Sequence, residues 1–216
     1  MPLAISVVGR SKSGKTTLLE NLVRELKRRG YNLATIKHTV HDFDLDQPGK
    51  DSWRLAKAGS DTVVLSSPRK LALIKSVHRD ITLEELFHLI GKGFDLILVE
   101  GLKDSSLPKI EVHRKELGDL ICSPEELFAV VTDERLDIAV PQFSPGDVGP
   151  LVDLVEQKSL AWRETDETSL IVNDAPLPLD HLAERVIHKT LLGMVSALTG
   201  VEEITSLRIS LRRGHS

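Results

Sequence analysis

The sequence predicts an α/β protein with a mostly parallel sheet, helices on both faces of that sheet, and a small C-terminal α+β appendage. Short apolar runs alternate along the chain with amphipathic helical segments, which is the pattern of a parallel sheet. A glycine-rich loop joins the first apolar run to the first helix. A polar stretch at 164–169 then indicates a boundary, so we expect one domain over residues 1–160 and an appendage over residues 161–216.

The first forty residues have the pattern of a βαβ unit. An apolar run at 3–8 predicts a strand, and Gly30 ends the helix that follows. The apolar residues of that helix recur at helical spacing, at Leu18, Leu19, Leu22, Val23 and Leu26. A second strand is predicted at 33–37, and we expect it to form a parallel pair with the first.

The middle of the chain predicts five more strands and several helices. The strands are expected at Thr62–Ser66, Leu71–Lys75, Asp95–Val99, Lys109–His113 and Phe128–Thr132. Capping boxes, in which Thr82 is followed by Glu85 and Ser123 by Glu126, indicate two helix starts. A further helix is expected through 151–155. Alternation in the fourth of these strands puts Lys109, Glu111 and His113 on one face, as in a half-exposed strand.

The appendage is predicted to be a compact ββαβ or βαβ unit. It would contain a strand at Leu170–Val172, a turn at Asn173-Asp174, a helix from Asp180 to Gly200, and a strand at Leu207–Leu211.

Composition restricts the function classes. Of the 216 residues, 41% are hydrophobic and 28% are charged, which are ordinary globular values. A net charge of −4 argues against nucleic acid as a partner, and no apolar stretch approaches the roughly 20 residues that cross a bilayer. Cys122 is the only cysteine, and the N-terminus lacks the pattern of a signal peptide. We therefore expect a cytoplasmic protein without disulfides.

The glycine-rich loop matches the phosphate-binding pattern G-x-x-x-x-G-K-[ST] at every fixed position. It reads Gly9-Arg10-Ser11-Lys12-Ser13-Gly14-Lys15-Thr16 and lies between a strand and a helix, as the motif requires. Backbone N–H groups and the helix dipole suit phosphate oxygens, Lys15 suits the terminal phosphates, and the Thr16 hydroxyl suits Mg²⁺. Arg10 or Lys12 adds a possible phosphate contact. The motif predicts a P-loop NTPase-like fold.

Acidic and basic residues follow two other predicted strands. Glu100 ends an apolar strand at the position where P-loop proteins place a Mg²⁺-binding carboxylate, and it is Glu rather than the commoner Asp. After the second strand come Lys37 and a series of ionisable residues. These are His38, His41, Asp42, Asp44, Asp46, Lys50, Asp51 and Arg54. One interpretation places Lys37 with Asp46 or Asp51 around the γ-phosphate as catalytic groups; a charged surface loop is the other.

These residues together resemble the MobB family, the molybdopterin-guanine dinucleotide biosynthesis adaptor proteins. The resemblance covers roughly residues 3–157. It depends on the segments Gly9–Thr17, Lys37-His38 with Asp46, Gly49–Ser52, Ala58-Gly59, Leu98–Gly101 and Pro108–Glu111. The tail beyond about residue 160 lies outside it.

The resemblance implies a GTP-binding protein with weak Mg²⁺-dependent hydrolysis, usually a homodimer. Such a protein assists the nucleotidyltransferase MobA in attaching GMP to molybdopterin, and molybdopterin itself is a possible ligand. By the same resemblance the phosphate-binding residues are Gly9, Ser13, Gly14, Lys15, Thr16 and Thr17, with Asp46, Asp51 and Glu100 as acidic neighbours.

Two other functions stay open on the residues alone. One is a phosphotransferase in which Asp46 or Asp51 is the base, and in which Lys37, Lys109 and Arg114 hold an anionic acceptor. The other is a metal-delivery NTPase that uses His38, His41 and nearby carboxylates.

Overall fold

A six-stranded parallel sheet forms the centre of the larger of two compact units, Pro2–Trp162 and Arg163–Ser216. This computed structural model describes residues 2–41, 43, 46–91, 93–163, 168, 170–172, 175–177, 179–198, 204 and 207. Along the described chain the elements are β1 (Leu3–Val8), α1 (Lys15–Arg28), β2 (Leu33–Lys37), α2 (Asp51–Lys57), β3 (Thr62–Ser67), β4 (Lys70–Lys75), α3 (Leu83–Ile90), β5 (Leu96–Glu100), β6 (Lys109–Val112), β7 (Leu127–Val131), β8 (Gln142–Phe143), α4 (Val148–Arg163), β9 (Leu170–Val172), β10 (Ala175–Leu177) and α5 (His181–Ser196).

The strand order of the sheet is β2-β5-β1-β6-β7-β8, and its neighbouring strands are all parallel. The predicted fold class is confirmed. The expected direct pairing of β1 with β2 is wrong, because β5 lies between them and pairs with both. Residues 96–99 of β5 are buried throughout, whereas Thr35 and Lys37 of β2 are exposed. A fully apolar strand therefore takes the inner position and β2 the edge.

Helices cover both faces of the sheet. On one face α1 and α4 pack against the odd-numbered residues of β1, and Leu22, Leu26 and Val152 are fully buried there. On the other face Phe87 of α3 packs against Ile97 and Val99. Next to it, loops after β6 and β7 close a third cluster around Val130.

The strands at 62–67 and 70–75 do not join the central sheet. They pair with each other as an antiparallel hairpin, with Thr62 opposite Lys75. Only two residues, Pro68 and Arg69, separate the two strands, and such a short connection permits only antiparallel pairing. The α/β alternation predicted from the sequence is interrupted here.

Strand β6 is buried on both faces, which corrects the predicted half-exposed strand. Lys109, Glu111 and His113 are 3%, 1% and 5% exposed. The strand lies inside the sheet between β1 and β7, so alternation of polar and apolar residues does not mark a solvent face. The capping boxes are present at both predicted positions, but Ser123 begins only a single 3₁₀ turn, Pro124–Glu126, before β7.

The smaller unit contains a β9–β10 hairpin and α5. Asp180 caps α5 as predicted, since its Oδ1 accepts the N–H groups of Leu182 and Ala183 at 3.0 and 2.8 Å. The helix ends at Ser196, before the predicted end at Gly200. The Asn173-Asp174 turn, Gly200, and the predicted last strand beyond Leu207 lie outside the described residues. No helix in the described part of the chain is long and apolar enough to span a bilayer.

Candidate nucleotide-binding site

The glycine-rich loop connects the central strand β1 to the first turn of α1. Gly9 has a φ of 140°, and Gly14 precedes the helix as its N-cap. The Ser13 N–H donates to the Arg10 carbonyl at 3.2 Å, and the Leu18 N–H donates to the Gly14 carbonyl at 2.9 Å to begin the helix. The loop therefore closes on itself directly over the positive end of α1, which is the geometry of an anion cradle.

Two side chains of the loop are suited to phosphate. The Lys15 Nζ donates to the carbonyls of Gly9 and Arg10 at 3.0 and 2.7 Å, so the ammonium group lies across the loop. Ser13 is 1% exposed, and its hydroxyl has no hydrogen-bond partner within the described residues. A buried hydroxyl in this position is a ready donor to a phosphate oxygen, because an unpaired buried polar group is otherwise costly.

The Glu100 carboxylate contacts residues of both α1 and β2. The Thr16 hydroxyl donates to Glu100 Oε2 at 2.9 Å, and Lys37 Nζ lies 3.2 Å from Glu100 Oε1. The Glu100 side chain is only 14% exposed, whereas that of Lys37 is 67% exposed. The structure thus brings together three residues that the sequence assigned to the phosphate and metal site, from three different elements.

The backbone holds Glu100 at the end of its strand. The His38 N–H donates to the Glu100 carbonyl, and the Gly101 N–H donates to the Val7 carbonyl, each at 3.0 Å. The Ser6 hydroxyl donates to the Gly101 carbonyl. A side chain at position 101 would meet the His38 carbonyl at 3.1 Å, so the close approach of these strand ends requires glycine.

The other predicted acidic residues contact their own neighbours in sequence. Asp46 accepts the Gln47 N–H at 2.9 Å, and Asp51 begins α2 with its side chain 97% exposed and 3.7 Å from Arg54. Asp42 and Asp44 lie outside the described residues. Lys12 is exposed and has a φ of 64°, and Thr17 is exposed on the first turn of α1.

Among the described residues, the histidines after β2 do not belong to a metal cluster. Within the part of the chain that the structure describes, there is no group of three or more His, Cys, Asp or Glu residues placed to hold a metal ion. His38 contributes its backbone to the strand end, and the His41 N–H donates to the Thr39 hydroxyl at 3.2 Å.

Sequence reasoning missed a buried carboxylate behind the loop. Glu111 accepts the N–H groups of Ile121 and Cys122 at 2.7 and 3.1 Å, which fastens the segment after β6 to the sheet. Burial, with Glu111 nearby, raises the pKa of the Cys122 thiol to about 11, so this cysteine is an inert packing residue. A charged residue inside a parallel sheet is the signal that marks such a position, because it needs buried partners.

The same segment also contacts the P-loop. Arg10 Nε donates to the Asp119 carbonyl at 3.2 Å, and the Arg114 guanidinium lies close to Gly14, where an added Cβ would meet it at 3.3 Å. Arg114 thus adds a positively charged group from outside the loop to the basic residues of the loop itself.

The fold and this arrangement define a P-loop protein: a parallel sheet with a glycine-rich loop, a lysine and a threonine at the end of its central strand, and an acidic residue on the neighbouring strand. Comparison with known proteins identifies the family. The family model for molybdopterin guanine dinucleotide synthesis protein B, MobB, matches residues 4–133. The chain belongs to the MobB family.

Individual relatives agree with this assignment. The chain is 35% identical over 154 residues to the molybdopterin-guanine dinucleotide biosynthesis adapter protein of Haemophilus influenzae, covering 70% of this chain and 86% of the relative. The protein of the same name from Escherichia coli is 38% identical over 154 residues, covering 67% and 86%. The crystal structure of Bacillus subtilis MobB superposes with a TM-score of 0.58 at 27% identity, covering 73% of this chain and 98% of that one.

Proposed function

We propose that this protein is a nucleotide-dependent adapter in molybdopterin-guanine dinucleotide biosynthesis. It binds GTP with Mg²⁺ at the P-loop and assists a MobA-like guanylyltransferase in the cytoplasm. The observation that carries the proposal is the contact of Thr16 and Lys37 with Glu100 beside the Lys15 loop. This arrangement, in a chain of the MobB family, provides separate positions for phosphate and metal.

The phosphate position consists of Gly9, Ser13, Gly14, Lys15 and Thr17. Backbone N–H groups at the start of α1 and the unpaired Ser13 hydroxyl would donate to phosphate oxygens, and Lys15 would exchange its carbonyl contacts for the terminal phosphates. Lys12, which is exposed, would add a further phosphate contact.

The metal position consists of Thr16 and Glu100. Hydroxyl and carboxylate oxygens are the ligands that Mg²⁺ prefers, so the donor set fits this ion. Both oxygens of Glu100 already have partners, Thr16 and Lys37, which favours an outer role in which Glu100 holds a water of the ion. A bound Mg²⁺ would supply charge neutralisation for the terminal phosphates.

Slow hydrolysis fits the placement of the candidate catalytic groups. Lys37 contacts Glu100. Asp46 accepts the Gln47 N–H through Oδ1, and Asp51 is exposed at 3.7 Å from Arg54, so among the described residues neither carboxylate is seen in contact with Lys37 or Glu100. A fast phosphotransferase would also need basic residues free to hold an acceptor. Lys109, which the sequence offered for this, is buried and donates to the Ser105 carbonyl at 2.7 Å and to Glu126 at 3.3 Å. These contacts favour the adapter over the phosphotransferase.

A homodimer is part of the proposal, and the β3–β4 hairpin supports it. Val64, Leu71 and Leu73 lie on one face of the hairpin and are 54%, 71% and 47% exposed. A two-stranded hairpin with an uncovered apolar face is poorly stable in water by itself. A second copy presenting the same face would bury both surfaces around a two-fold axis.

Isothermal titration tests the nucleotide site. The wild-type chain is expected to bind GTP with Mg²⁺, and Lys15→Ala is expected to weaken binding by about tenfold or more, because the ammonium partner of the phosphates is lost. Arg24→Ala is the matched control, since Arg24 lies on the same helix in an exposed pair with Glu20. Equal affinities of wild type and Lys15→Ala would reject the assignment of the P-loop.

Co-purification tests the adapter role. The tagged chain is expected to retain a MobA-like guanylyltransferase from cell extract, with Lys15→Ala retaining less. A chain that binds GTP but retains no guanylyltransferase would leave the nucleotide site intact and reject the partner.

A further inference from the structure

Positive charge is concentrated in one part of the chain, residues 50–79, which we call the basic segment. It contains seven Lys and Arg residues and two Asp residues, a net charge of +5. Because the whole chain has a net charge of −4, the other 186 residues together carry −9. The basic segment includes α2 and the β3–β4 hairpin. It therefore gives a positive potential to one part of an otherwise acidic protein.

Three of the basic residues line one side of α2. The Arg54 N–H donates to the Lys50 carbonyl at 2.9 Å, so these two residues lie one helical turn apart, and Lys57 follows three residues later. Residues three and four positions apart share a face of a helix. All three residues are exposed. The helix thus presents a row of positive charge to solvent.

The tip of the hairpin adds two more positive charges. α2 contacts β3, and Arg69 and Lys70 lie where β3 turns into β4, both of them exposed. Side chains alternate between the two faces of a strand, so Lys70 belongs to the face opposite Leu71 and Leu73. The apolar face that a second copy would cover in the proposed homodimer is therefore not the face of Lys70.

Most of these charges have no partner on the protein itself. Arg54 lies 3.7 Å from Asp51 in a pair whose side chains are 72% and 97% exposed, and Arg79 pairs with Glu85. The other five form no ion pair with a described residue; they are Lys50, Lys57, Arg69, Lys70 and Lys75. By contrast, both arginines of α1 contact a carboxylate. Clustered like charges repel one another, so this arrangement favours an anionic partner from outside.

The surroundings of the charges favour a protein over a nucleic acid. The Lys57 ammonium group lies 5.7 Å from the centre of the Trp53 ring, so that face of the ring is not free to stack on a base. Leu55 and Leu65 are 58% and 41% exposed in the same segment, and apolar side chains beside arginine are typical of protein interfaces. The acidic remainder of the chain would repel a long polyanion but would tolerate a local contact with an acidic patch.

We propose that the charged side of α2 and the tip of the β3–β4 hairpin dock an acidic face of the guanylyltransferase. The proposal rests on the proposed function, from which it takes the partner. Complementary charges accelerate encounter and fix the orientation of the two proteins, while partners without an acidic face are not retained.

Charge reversal tests the docking surface. The affinity for a purified MobA-like guanylyltransferase is measured by isothermal titration for wild type and for two double variants, Arg54→Glu/Lys57→Glu and Arg69→Glu/Lys70→Glu. Each double variant is expected to bind about tenfold more weakly or worse at an ionic strength of about 0.1 M, because attraction becomes repulsion. The GTP affinity of both variants is expected to match that of wild type, which shows that they fold.

The double variant Arg185→Glu/Lys189→Glu on α5 is the matched control. It changes the net charge by the same amount, at two exposed helical residues outside the basic segment. It is expected to bind the guanylyltransferase as wild type does. An equal loss of affinity in this control would show that total charge matters and not the surface, and it would reject the docking site.

Salt provides a second readout. The affinity of wild type for the guanylyltransferase is expected to fall as the ionic strength rises from about 0.05 to about 0.5 M, because screening shortens the reach of each charge. The two double variants of the basic segment are expected to respond less. A wild-type affinity that does not change with salt would contradict an electrostatic contact.

The outcomes separate this inference from the proposed function. If both double variants of the basic segment bind the guanylyltransferase as tightly as wild type does, the docking surface is rejected and the adapter role stands. If wild type does not bind the guanylyltransferase, both are rejected. If a short DNA duplex binds wild type and not the double variants, the surface serves nucleic acid and the proposal is overturned. A double variant with an altered oligomeric mass in sedimentation would assign the surface to a second copy instead.

Discussion

Of the two P-loop glycines, Gly9 has the less room for a side chain. A Cβ at this position would lie 2.4 Å from the Val112 carbonyl and 2.9 Å from the Ser13 hydroxyl, with φ at 140°. Val112 cannot move away easily, because it is paired in β6 opposite Val131 of β7. The glycine thus lets the loop turn directly over the end of a buried strand, and this brings Ser13 and Lys15 to the same point.

Gly9→Ala is expected to destabilise the fold by about 2 kcal/mol or more, since it combines backbone strain with overpacking against a fixed carbonyl. Urea unfolding at pH 7 measures the change. Gly146→Ala is the control, because a Cβ there meets nothing within 4 Å. Equal unfolding midpoints for the two variants would show that the loop can relax around the new methyl group.

At the scale of elements, an ionic network ties the end of α1 to α4. The Arg29 guanidinium lies 2.8 Å from Glu25 and 2.6 Å from both Asp153 and Glu156. Hydrogen bonds from Arg28 and Arg29 lower the pKa of Glu25 from 4.5 to about 2. One arginine thereby compensates three carboxylates on two helices, which cover the same face of the sheet.

This network predicts a pH dependence of stability. Because the pKa of Glu25 is lower in the folded state, its contribution is fully present above pH 4.5 and is lost as the pH falls toward 2. Arg29→Ala is therefore expected to be less stable than wild type at pH 7, where three carboxylates lose their common partner, and the difference should shrink as the pH falls through this window.

Urea midpoints across that pH range measure the difference between wild type and Arg29→Ala. Arg24→Ala serves as control, since its pair with Glu20 is mostly exposed and should contribute little. A difference between wild type and Arg29→Ala that is independent of pH would mean that Arg29 acts through packing alone.

Elements with a strong local pattern were predictable from the sequence. The spacing of leucines predicted α1, and the apolar run before Glu100 predicted β5. The β3–β4 hairpin has the same kind of apolar runs as the parallel strands, so its separate position follows from the short turn and not from residue type. Burial of β6 could not be predicted either, because the partners of Lys109 and Glu111 lie outside the strand, at the Ser105 carbonyl, at Glu126 and at the backbone of 121–122.

For the candidate site, the motif predicted residues 9–17, and the end of an apolar strand predicted Glu100, because the proposed roles require fixed residue types at fixed positions. The contact between Lys37 and Glu100 could not be read from the chain. It depends on the neighbouring positions of β2 and β5, which place residues 37 and 100 in register. The predicted roles of the loop residues, of Lys37 and Glu100, and of Asp46 and Asp51 stay predictions.

At the scale of the larger unit, strand order explains where the site lies. In the sheet, β5 and then β2 lie on one side of β1, and β6, β7 and β8 lie on the other. The P-loop at the end of β1 is therefore flanked by Glu100 on one side and by the segment after β6 on the other. In open parallel sheets, ligands bind outside the carboxyl ends of strands at such a reversal of order.

The hairpin carries the prediction for the assembly. Val64 lies directly opposite Leu73, and Leu71 shares their face, so the three side chains form one exposed apolar strip. Leu73→Lys places a charge in the middle of this strip on both copies. The like charges would face each other across a two-fold axis, and the variant is expected to be a monomer where wild type is a dimer.

Sedimentation velocity measures both masses at matched concentrations. Leu89→Lys is the control, because Leu89 on α3 is 52% exposed, similar to Leu73, but lies outside the hairpin. A Leu73→Lys chain that sediments as a dimer would exclude this face as the contact. A monomeric wild type would reject the homodimer itself. Neither result would change the expected effect of Lys15→Ala on GTP binding, since the residues of the phosphate position all come from one chain.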